Sequence, residues 1–238
     1  MTQQQEFQSP FTLSIDIGGT GIKMMVLDVN GKPMTDYLRQ PTPHPATVDA
    51  VCAVFSGMIG ALPVKFDRVS AGFPGVVIDG IVKTAVNLHP SWVGVSLQEK
   101  LEKISNKPVR VANDADVQGL GDVSGKGLEL VITLGTGVGA SLYYDGVLIP
   151  NLELGHHTFM DNYSYEELLS KAYLEANGEI KWRMNLKRAI QMWAMVFNYD
   201  RLYIGGGFSH LIKFELPANV KLADNIEGVL GGIKLWEK

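Results

Sequence analysis

Apolar residues in this chain come in short runs broken by glycine, proline and asparagine, and the first run sets a pattern that recurs halfway along. Phe11–Ile17 reads as a strand and Lys23–Asp28 as its hairpin partner, with Asn30-Gly31 as the turn signal. Pro41, Pro43 and Pro45 mark a loop, and Thr47 is placed to N-cap a helix running to about Ala61. Asp67–Phe73 is a buried strand by composition. Ser96–Ser105 predicts a short helix, with Leu97, Leu101 and Ile104 on one face. Pro108–Ala112 is another strand, and Ala115–Val123 begins a helix.

Near residue 115 the pattern starts again. Glu129–Leu134 and Gly139–Tyr144 give a strand, a glycine turn and a strand like those at 11–28, which points to an internal duplication. Helices follow at Tyr165–Ala176 and Lys181–Phe197. In the second, Trp182, Leu186, Ile190, Trp193 and Phe197 form a core stripe. Arg201–Ile204 is a strand leading into Gly205-Gly206-Gly207. The expected division is a disordered lead-in over 1–10, an N-terminal lobe over 11–115 and a C-terminal lobe over 116–238. With no Gly/Ser/Pro linker between them, the lobes are expected to hinge.

Composition narrows the function. The 238 residues are 46% hydrophobic and 19% charged, ordinary for a globular protein with a real core. A net charge of −4 argues against a nucleic-acid partner, which would call for a basic footprint. No apolar run reaches the roughly 18–20 residues that span a bilayer, so no membrane role is expected. The N-terminus lacks the basic start and apolar core of a signal peptide, and a cytoplasmic location fits. A single cysteine, Cys52, excludes an internal disulfide and a cysteine-based zinc site.

Three segments carry the candidate chemistry. Each glycine turn follows an apolar strand, where bare backbone N–H groups can close on phosphate oxygens. In the first, Gly18, Gly19 and Thr20 present those groups, while Asp16 at the strand end can hold Mg²⁺ or its waters. Lys23 either adds positive charge or is a solvated strand residue. In the second, Gly135, Thr136 and Gly137 would clamp phosphates of the donor; a plain hairpin is the alternative reading of both turns. Between them, in Asn113-Asp114-Ala115-Asp116, Asp114 is the candidate general base for a hydroxyl nucleophile. Asn113, Asp114 or Asp116 could instead cap the following helix. Together these features suggest phosphoryl transfer.

The same residues resemble a known family. Leu13–Lys23, Ala71–Val77, Thr84–Asn87 with Ser91-Trp92, Asn113–Asp116, Glu153-Leu154-Gly155-His156 and Ile204–Gly207 occur in the order found in the ROK (repressor, open reading frame, kinase) sugar kinases of the actin-like ATPase superfamily, and are most similar to the polyphosphate-dependent glucokinases. The resemblance implies an α/β fold of the actin-like, ribonuclease H-like kind: two lobes, each a mixed sheet flanked by helices, with a cleft between. It implies Asp114 as base toward the sugar 6-hydroxyl, leaving Asp116 as the better cap, and Asn87, Asn113, Asp114, Glu153 and His156 as sugar ligands. It implies that Gly205, Gly206 and Gly207 approach a nucleotide or other donor. Glucose or a similar hexose is the expected acceptor, Mg²⁺ the metal, and polyphosphate or ATP the donor. A homodimer is a family-level expectation, as is a final helix over Asn225–Leu235 that could pack back on the first lobe.

Two departures bear on this. Zinc-bearing relatives pair the histidine matching His156 with a downstream cysteine cluster, but here His157-Thr158-Phe159 follows. That agrees with the polyphosphate-dependent subgroup, and His157 is given no role. A basic group, Lys181, Arg183, Lys187 and Arg188, is either a track for polyphosphate or a solvated helix face. The competing reading is a non-catalytic sugar-binding regulator. Family repressors carry a DNA-binding segment before the first glycine turn, and only about a dozen residues precede Leu13. An ATP-dependent kinase for another hexose or an amino sugar is the third reading.

Overall fold

In the computed structural model, which describes residues 8–223 and 230–237, the first apolar run becomes β1 (Thr12–Ile17), and a mixed sheet is built outward from it. On one side β2 (Gly21–Leu27) pairs antiparallel with β1, and β3 (Leu38–Pro41) pairs antiparallel with β2. After helix α1 (Val48–Gly60), β4 (Arg68–Phe73) joins the other side of β1 in parallel. A two-residue-per-strand hairpin, β5 (Val77–Ile78) and β6 (Ile81–Val82), and helix α2 (Leu97–Ser105) lead to β7 (Val109–Asn113), parallel to β4. The sheet order is β3-β2-β1-β4-β7. Helix α3 (Asp114–Asp122) follows β7 directly.

The second half repeats this plan. Strands β8 (Leu128–Leu134), β9 (Val138–Tyr144) and β10 (Val147–Ile149) form an antiparallel series. A small hairpin, β11 (Thr158–Met160) and β12 (Tyr163–Ser164), precedes helices α4 (Tyr165–Leu169) and α5 (Lys171–Phe197). Then β13 (Arg201–Gly205) and β14 (Val220–Leu222) add in parallel, giving the order β10-β9-β8-β13-β14. Position for position and direction for direction this matches the first sheet, as the recurring strand–turn–strand pattern leads one to expect. The chain divides into one unit of Met1–Gly121 with Ile226–Lys238 and a second of Asp122–Asn225.

Each sheet buries the residues its alternation selects. Leu13, Ile15 and Ile17 are at most 1% exposed and pack in one cluster with Val51 and Phe55 of α1 and Leu97 and Leu101 of α2. Leu130, Ile132 and Leu134 do the same with Trp182, Leu186, Ile190 and Trp193 of α5. Local signals hold where the bonds are local. Thr47 accepts from Ala50 N–H at the start of α1, and Ser96 from Glu99 N–H at the start of α2, each taking up an orphan amide of the first turn.

Elsewhere the structure differs from expectation. The Pro41 region is not all loop: Leu38–Pro41 is an edge strand, which leaves some N–H positions unpaired that proline can occupy. The β1–β2 connection is the Gly18–Thr20 turn, whereas Asn30-Gly31 follows β2, where Asp28 Oδ1 accepts from Asn30 N–H and Lys32 N–H (both 2.9 Å). The helix expected over Tyr165–Ala176 breaks at Ser170, whose extended backbone (φ −71°, ψ 170°) ends α4 and opens α5. The break expected between Ala176 and Lys181 is present: within α5, Gly178 (φ 81°, ψ 163°) interrupts the helical geometry before the stripe. Of the lead-in, positions 1–7 lie outside the described residues; Gln8 already accepts from Val29 N–H (3.0 Å). Of the expected final helix, 225–229 lie outside them too, and Leu230–Trp236 is a 3₁₀ segment. Among the described residues, no helix is long and apolar enough to cross a membrane.

That last segment packs within the first unit on the polar face of its sheet. Ser70 Oγ donates to Gly232 O (2.5 Å) and accepts from Trp236 Nε1 (2.8 Å). The Trp236 ring lies 5.1 Å from the Arg68 guanidinium and 4.7 Å from that of Arg110, and Arg110 donates to Leu235 O. Ile233, 4% exposed, covers Leu27. Trp236→Ala removes two cation–π contacts and a hydrogen bond, and a loss of ~2–3 kcal/mol in urea unfolding is expected. A loss under ~0.5 kcal/mol, the range of neutral surface changes, would show that this segment does not hold the sheet.

Candidate functional site

In the first unit the predicted residues gather at the carboxyl ends of the parallel strands, the edge where open α/β sheets take ligands. The Gly18–Gly21 turn closes through Gly18 N–H to Gly21 O (2.9 Å). Thr42, 3% exposed and missed in the sequence, pins it: its hydroxyl donates to Gly18 O (2.5 Å) and its N–H to Thr20 O (3.4 Å). A Cβ on Gly19 would lie 3.0 Å from Asn87 O and 3.2 Å from Asn87 Cβ. Two predicted positions far apart in the chain are thus in contact at the turn. The Asn87 segment is anchored by Trp92, fully buried, whose Nε1 donates to Ala46 O (3.0 Å) and whose ring meets Phe73 at 5.4 Å.

Asp16 and Lys23 are directly opposite on β1 and β2, and their side chains form a 2.8 Å ion pair. Lys23 is therefore paired within the sheet rather than simply solvated. The Asp16 carboxylate holds its ammonium above the ordinary lysine range even though burial, the largest influence, acts the other way. Asp16 Oδ1 has no partner among the described residues, and these contain no group of three or more His, Cys, Asp or Glu that could enclose a metal. That suits a magnesium ion carried mainly by phosphate and water, with one carboxylate from the protein.

Ser14 and Asp16 are two apart on β1 and so share one face of the sheet, and the parallel neighbour of Asp16 on β4 is Gly72. A Cβ on Gly72 would lie 3.1 Å from Asp114 Cα, so Asp114 rises over the same edge as Asp16. Asp114 is the first residue of α3, half-buried, and its Oδ1 accepts from Ala115 N–H (2.8 Å). Asn113, not Asp116, supplies the cap: its Oδ1 accepts from Ala115 N–H (2.8 Å) and Asp116 N–H (3.3 Å), and its Nδ2 donates to Gly75 O (3.2 Å). The reason is register. The helix starts at Asp114, one residue earlier than predicted, so Asn113 stands just before it; Asp116 lies inside the first turn, as it would with a start at Ala115.

The second unit gathers its predicted residues in the same way, at the ends of β8 and β13. The Gly135–Gly137 turn closes through Gly135 N–H to Gly137 O (3.1 Å), and Lys171 N–H at the start of α5 donates to Gly135 O (3.0 Å). Gly206 (φ 87°) lies against Leu134, where an added Cβ would come within 2.8 Å of the Leu134 carbonyl carbon, and Phe208 N–H donates to Leu134 O (3.1 Å). The Gly205–Gly207 turn is thereby stacked beside the Gly135–Gly137 turn. Glu153 stands just before a 3₁₀ turn, Leu154–His156, that ends on His156, and the His156 Nε2 lies 3.5 Å from the Glu153 carboxylate. Gly155 seats that turn on β9, an added Cβ there falling 3.4 Å from Val138 Cβ.

Sequence reasoning missed Glu166. Its Oε2 accepts from Val138 N–H (3.0 Å), directly after the second glycine turn, and a Cβ on Gly137 would run into this carboxylate. Glu153 has its carboxyl pushed above the ordinary glutamate range by burial, with repulsion from Glu166 adding to it and His156 opposing. The only hint in the sequence was an acidic pair, Glu166-Glu167, after Ser164, which reads as a capping box. Glu167 does fill that box, leaving Glu166 for the turn. The basic group is divided: Arg183 donates to Leu211 O (2.7 Å) and pairs with Glu179, while Lys181, Lys187 and Arg188 are exposed. His157 is exposed beside Tyr165, with ring centroids 6.4 Å apart.

Comparison with known proteins bears on this arrangement. A family model described as "ROK family" matches residues 12–165. The polyphosphate glucokinase of Mycobacterium tuberculosis (strain CDC 1551 / Oshkosh) is 30% identical over 234 residues, covering 91% of this chain and 88% of its own. The crystal structure of an inorganic polyphosphate/ATP-glucomannokinase from Arthrobacter sp. strain KM superposes with a TM-score of 0.86 at 32% identity, over 95% of this chain and 98% of that one. A ROK family glucokinase from Streptomyces griseus, in complex with glucose and AMPPNP, gives a TM-score of 0.77 at 20% identity, over 94% and 98% of the two chains, a likeness of fold. The α/β fold of the actin-like ATPases, with its mixed sheets flanked by helices, is the one the sequence led us to expect.

The Glu166 clasp is testable by coupling. Gly137→Ala displaces the carboxylate and strands the Val138 amide, at an expected ~1 kcal/mol in urea unfolding. In a Glu166→Ala background the added methyl meets no carboxylate, so the two changes should couple by ~1 kcal/mol in a double-mutant cycle. Strict additivity would show that Glu166 does not hold the turn.

Proposed function

We propose, from the premise that this chain belongs to the ROK family, that it is a sugar kinase transferring a phosphoryl group from polyphosphate, ATP or both to the 6-hydroxyl of glucose. The observation that carries this reading is the first unit's sheet edge. A glycine turn in contact with Asn87, the Asp16 carboxylate and Asp114 all belong to the carboxyl ends of β1, β4 and β7 or the segments that follow them. Phosphoryl transfer needs positioned groups and charge neutralisation more than covalent chemistry, and that is what this edge offers.

In this reading the N–H groups of Gly19 and Thr20 face donor phosphate oxygens, in a turn whose Gly18 N–H is spent on closing it, and Thr136 and Gly137 serve the donor similarly in the second unit, where Gly135 N–H closes the turn. Gly205, Gly206 and Gly207 border the donor's far end. Asn87, Asn113 and Asp114, with Glu153 and His156, hydrogen-bond sugar hydroxyls. A site built from such groups discriminates against a sugar lacking a hydroxyl, because its own polar atoms are then left unpaired. Asp114 accepts the proton of the 6-hydroxyl as that oxygen bonds to phosphorus and the bond from phosphorus to the donor's bridging oxygen breaks. The hydrogen bond from Ala115 N–H holds the carboxylate in place for this. Magnesium, held through Asp16, would supply neutralising charge to the donor phosphates. The likeness to the mycobacterial polyphosphate glucokinase and the Arthrobacter polyphosphate/ATP-glucomannokinase favours polyphosphate among the donors, and the lack of a cysteine cluster agrees.

The test is glucose phosphorylation by the purified protein with Mg²⁺, in parallel with ATP and long-chain polyphosphate. Glucose 6-phosphate is the expected product, with polyphosphate as a donor. No turnover of glucose, mannose or an amino sugar with either donor would overturn the reading. Asp114→Asn should lower kcat by ~10²–10⁴ with glucose affinity and unfolding midpoint nearly unchanged. Near-full turnover in that variant would remove Asp114 from the role of base.

A further inference from the structure

A row of charge crosses the first sheet beside its glycine turn. Asp16 on β1 stands opposite Lys23 on β2, and Lys23 stands opposite Arg39 on β3. Residues paired directly across antiparallel strands share a face, so the three side chains form a row of one negative and two positive charges. Asp16 and Lys23 satisfy each other at 2.8 Å. Arg39 is left over. Among the described residues its guanidinium has no hydrogen-bond or ion-pair partner.

Arg39 is exposed, yet its guanidinium is folded back along the sheet. It lies over Gly21, the residue that closes the glycine turn, with Nε 3.1 Å and Nη2 3.4 Å from where a Cβ on Gly21 would sit. Tyr37 neighbours Lys23, Asp16 and Arg39, and its hydroxyl, pushed above the ordinary tyrosine range by partial burial, brings no negative charge to the arginine near neutral pH. The turn therefore carries, alongside its backbone N–H groups, an uncommitted fork of N–H donors with full positive charge. Arginine suits this position because its planar guanidinium can give two parallel hydrogen bonds to the oxygens of one phosphate.

We propose that Arg39 binds the phosphoanhydride chain of the donor, extending the first glycine turn into a site for more than one phosphate. This rests on the reading of that turn as the donor's. The ligand chemistry is a run of linked phosphates, found both in inorganic polyphosphate and in the triphosphate of ATP. Charge on β3, an edge strand, also discourages strand pairing between molecules, and a residue serving only that purpose would not affect donor binding.

Binding is measured without sugar, so that no transfer is needed for a signal: tripolyphosphate, long-chain polyphosphate and ATP, each with Mg²⁺, are titrated calorimetrically into the wild type, Arg39→Gln and Arg39→Lys. Arg39→Gln should weaken tripolyphosphate ~10–100-fold, the worth of a charged hydrogen-bonding pair, with Arg39→Lys between it and the wild type. Glucose affinity and melting temperature should not move. Loss confined to the inorganic chains assigns Arg39 to polyphosphate, and equal loss with ATP assigns it to phosphates common to both; each supports the inference. Unchanged affinity for all three, or no binding by the wild type, overturns it. Absence of sugar phosphorylation in a wild type whose binding still depends on Arg39 would instead count against the kinase reading alone.

Discussion

The first unit depends on how closely two stretches of backbone approach at Gly72. β4 runs between β1 and β7, both parallel to it, with Gly72 opposite Asp16 on one side and Ala112 on the other. The start of α3 lies so near that a side chain on Gly72 would meet Asp114 Cα at 3.1 Å and Asp114 Cβ at 3.5 Å. With only hydrogen at Gly72, α3 can leave β7 without an intervening loop, capped by Asn113, the last residue of the strand. That brings the Asp114 carboxylate over the edge that carries Asp16. A methyl group at Gly72 would press on the carboxylate's own backbone, which has far less freedom to yield than a side-chain tip.

Two glycine turns of the same backbone plan are treated differently by their surroundings. Both join the first two strands of a five-stranded sheet, and both sheets have the same order and directions. The first turn is pinned by an uncharged hydroxyl, Thr42, and flanked by Lys23 and Arg39. The second is pinned by a carboxylate, Glu166, which already occupies the Val138 amide. Backbone N–H groups attract anions in both, but the first has positive side chains beside it, while the second has a carboxylate on the adjoining Val138 amide, so an anion there would rest on the turn's own N–H groups. A repeated fold thus does not imply a repeated electrostatic role.

What could be read along the chain was what depends on neighbours a few residues away. Thr47 and Ser96 as caps, the α5 stripe of Trp182, Leu186, Ile190 and Trp193, and the glycine turns after apolar strands all follow from contacts at short separation. Leu38–Pro41 was misread because four half-polar residues ending in proline have no strand signal of their own; pairing with β2 makes them one. The break at Ser170 within the helix expected over Tyr165–Ala176 was not foreseen because apolar spacing continues through it while the helical backbone does not. Asp116 was the better cap only on the family resemblance; Asn113, also a candidate, takes the role because α3 begins directly after it.

The sequence by itself determined the α/β class, the duplicated strand–turn–strand units, the family, and the residue types available for phosphate and sugar, since period, turn chemistry and motif order are carried by adjacent residues. Only the tertiary structure decided which of them meet. Asn87 touching Gly19, Asp114 beside Gly72, Thr42 and Glu166 clasping the turns, Arg39 over Gly21 and Trp236 between two arginines all join residues brought together by strand pairing and by the packing of loops and helices on the sheets. Nothing at either partner's position specifies the other, because the register of a sheet is set by burial of its whole apolar face and not by any one contact.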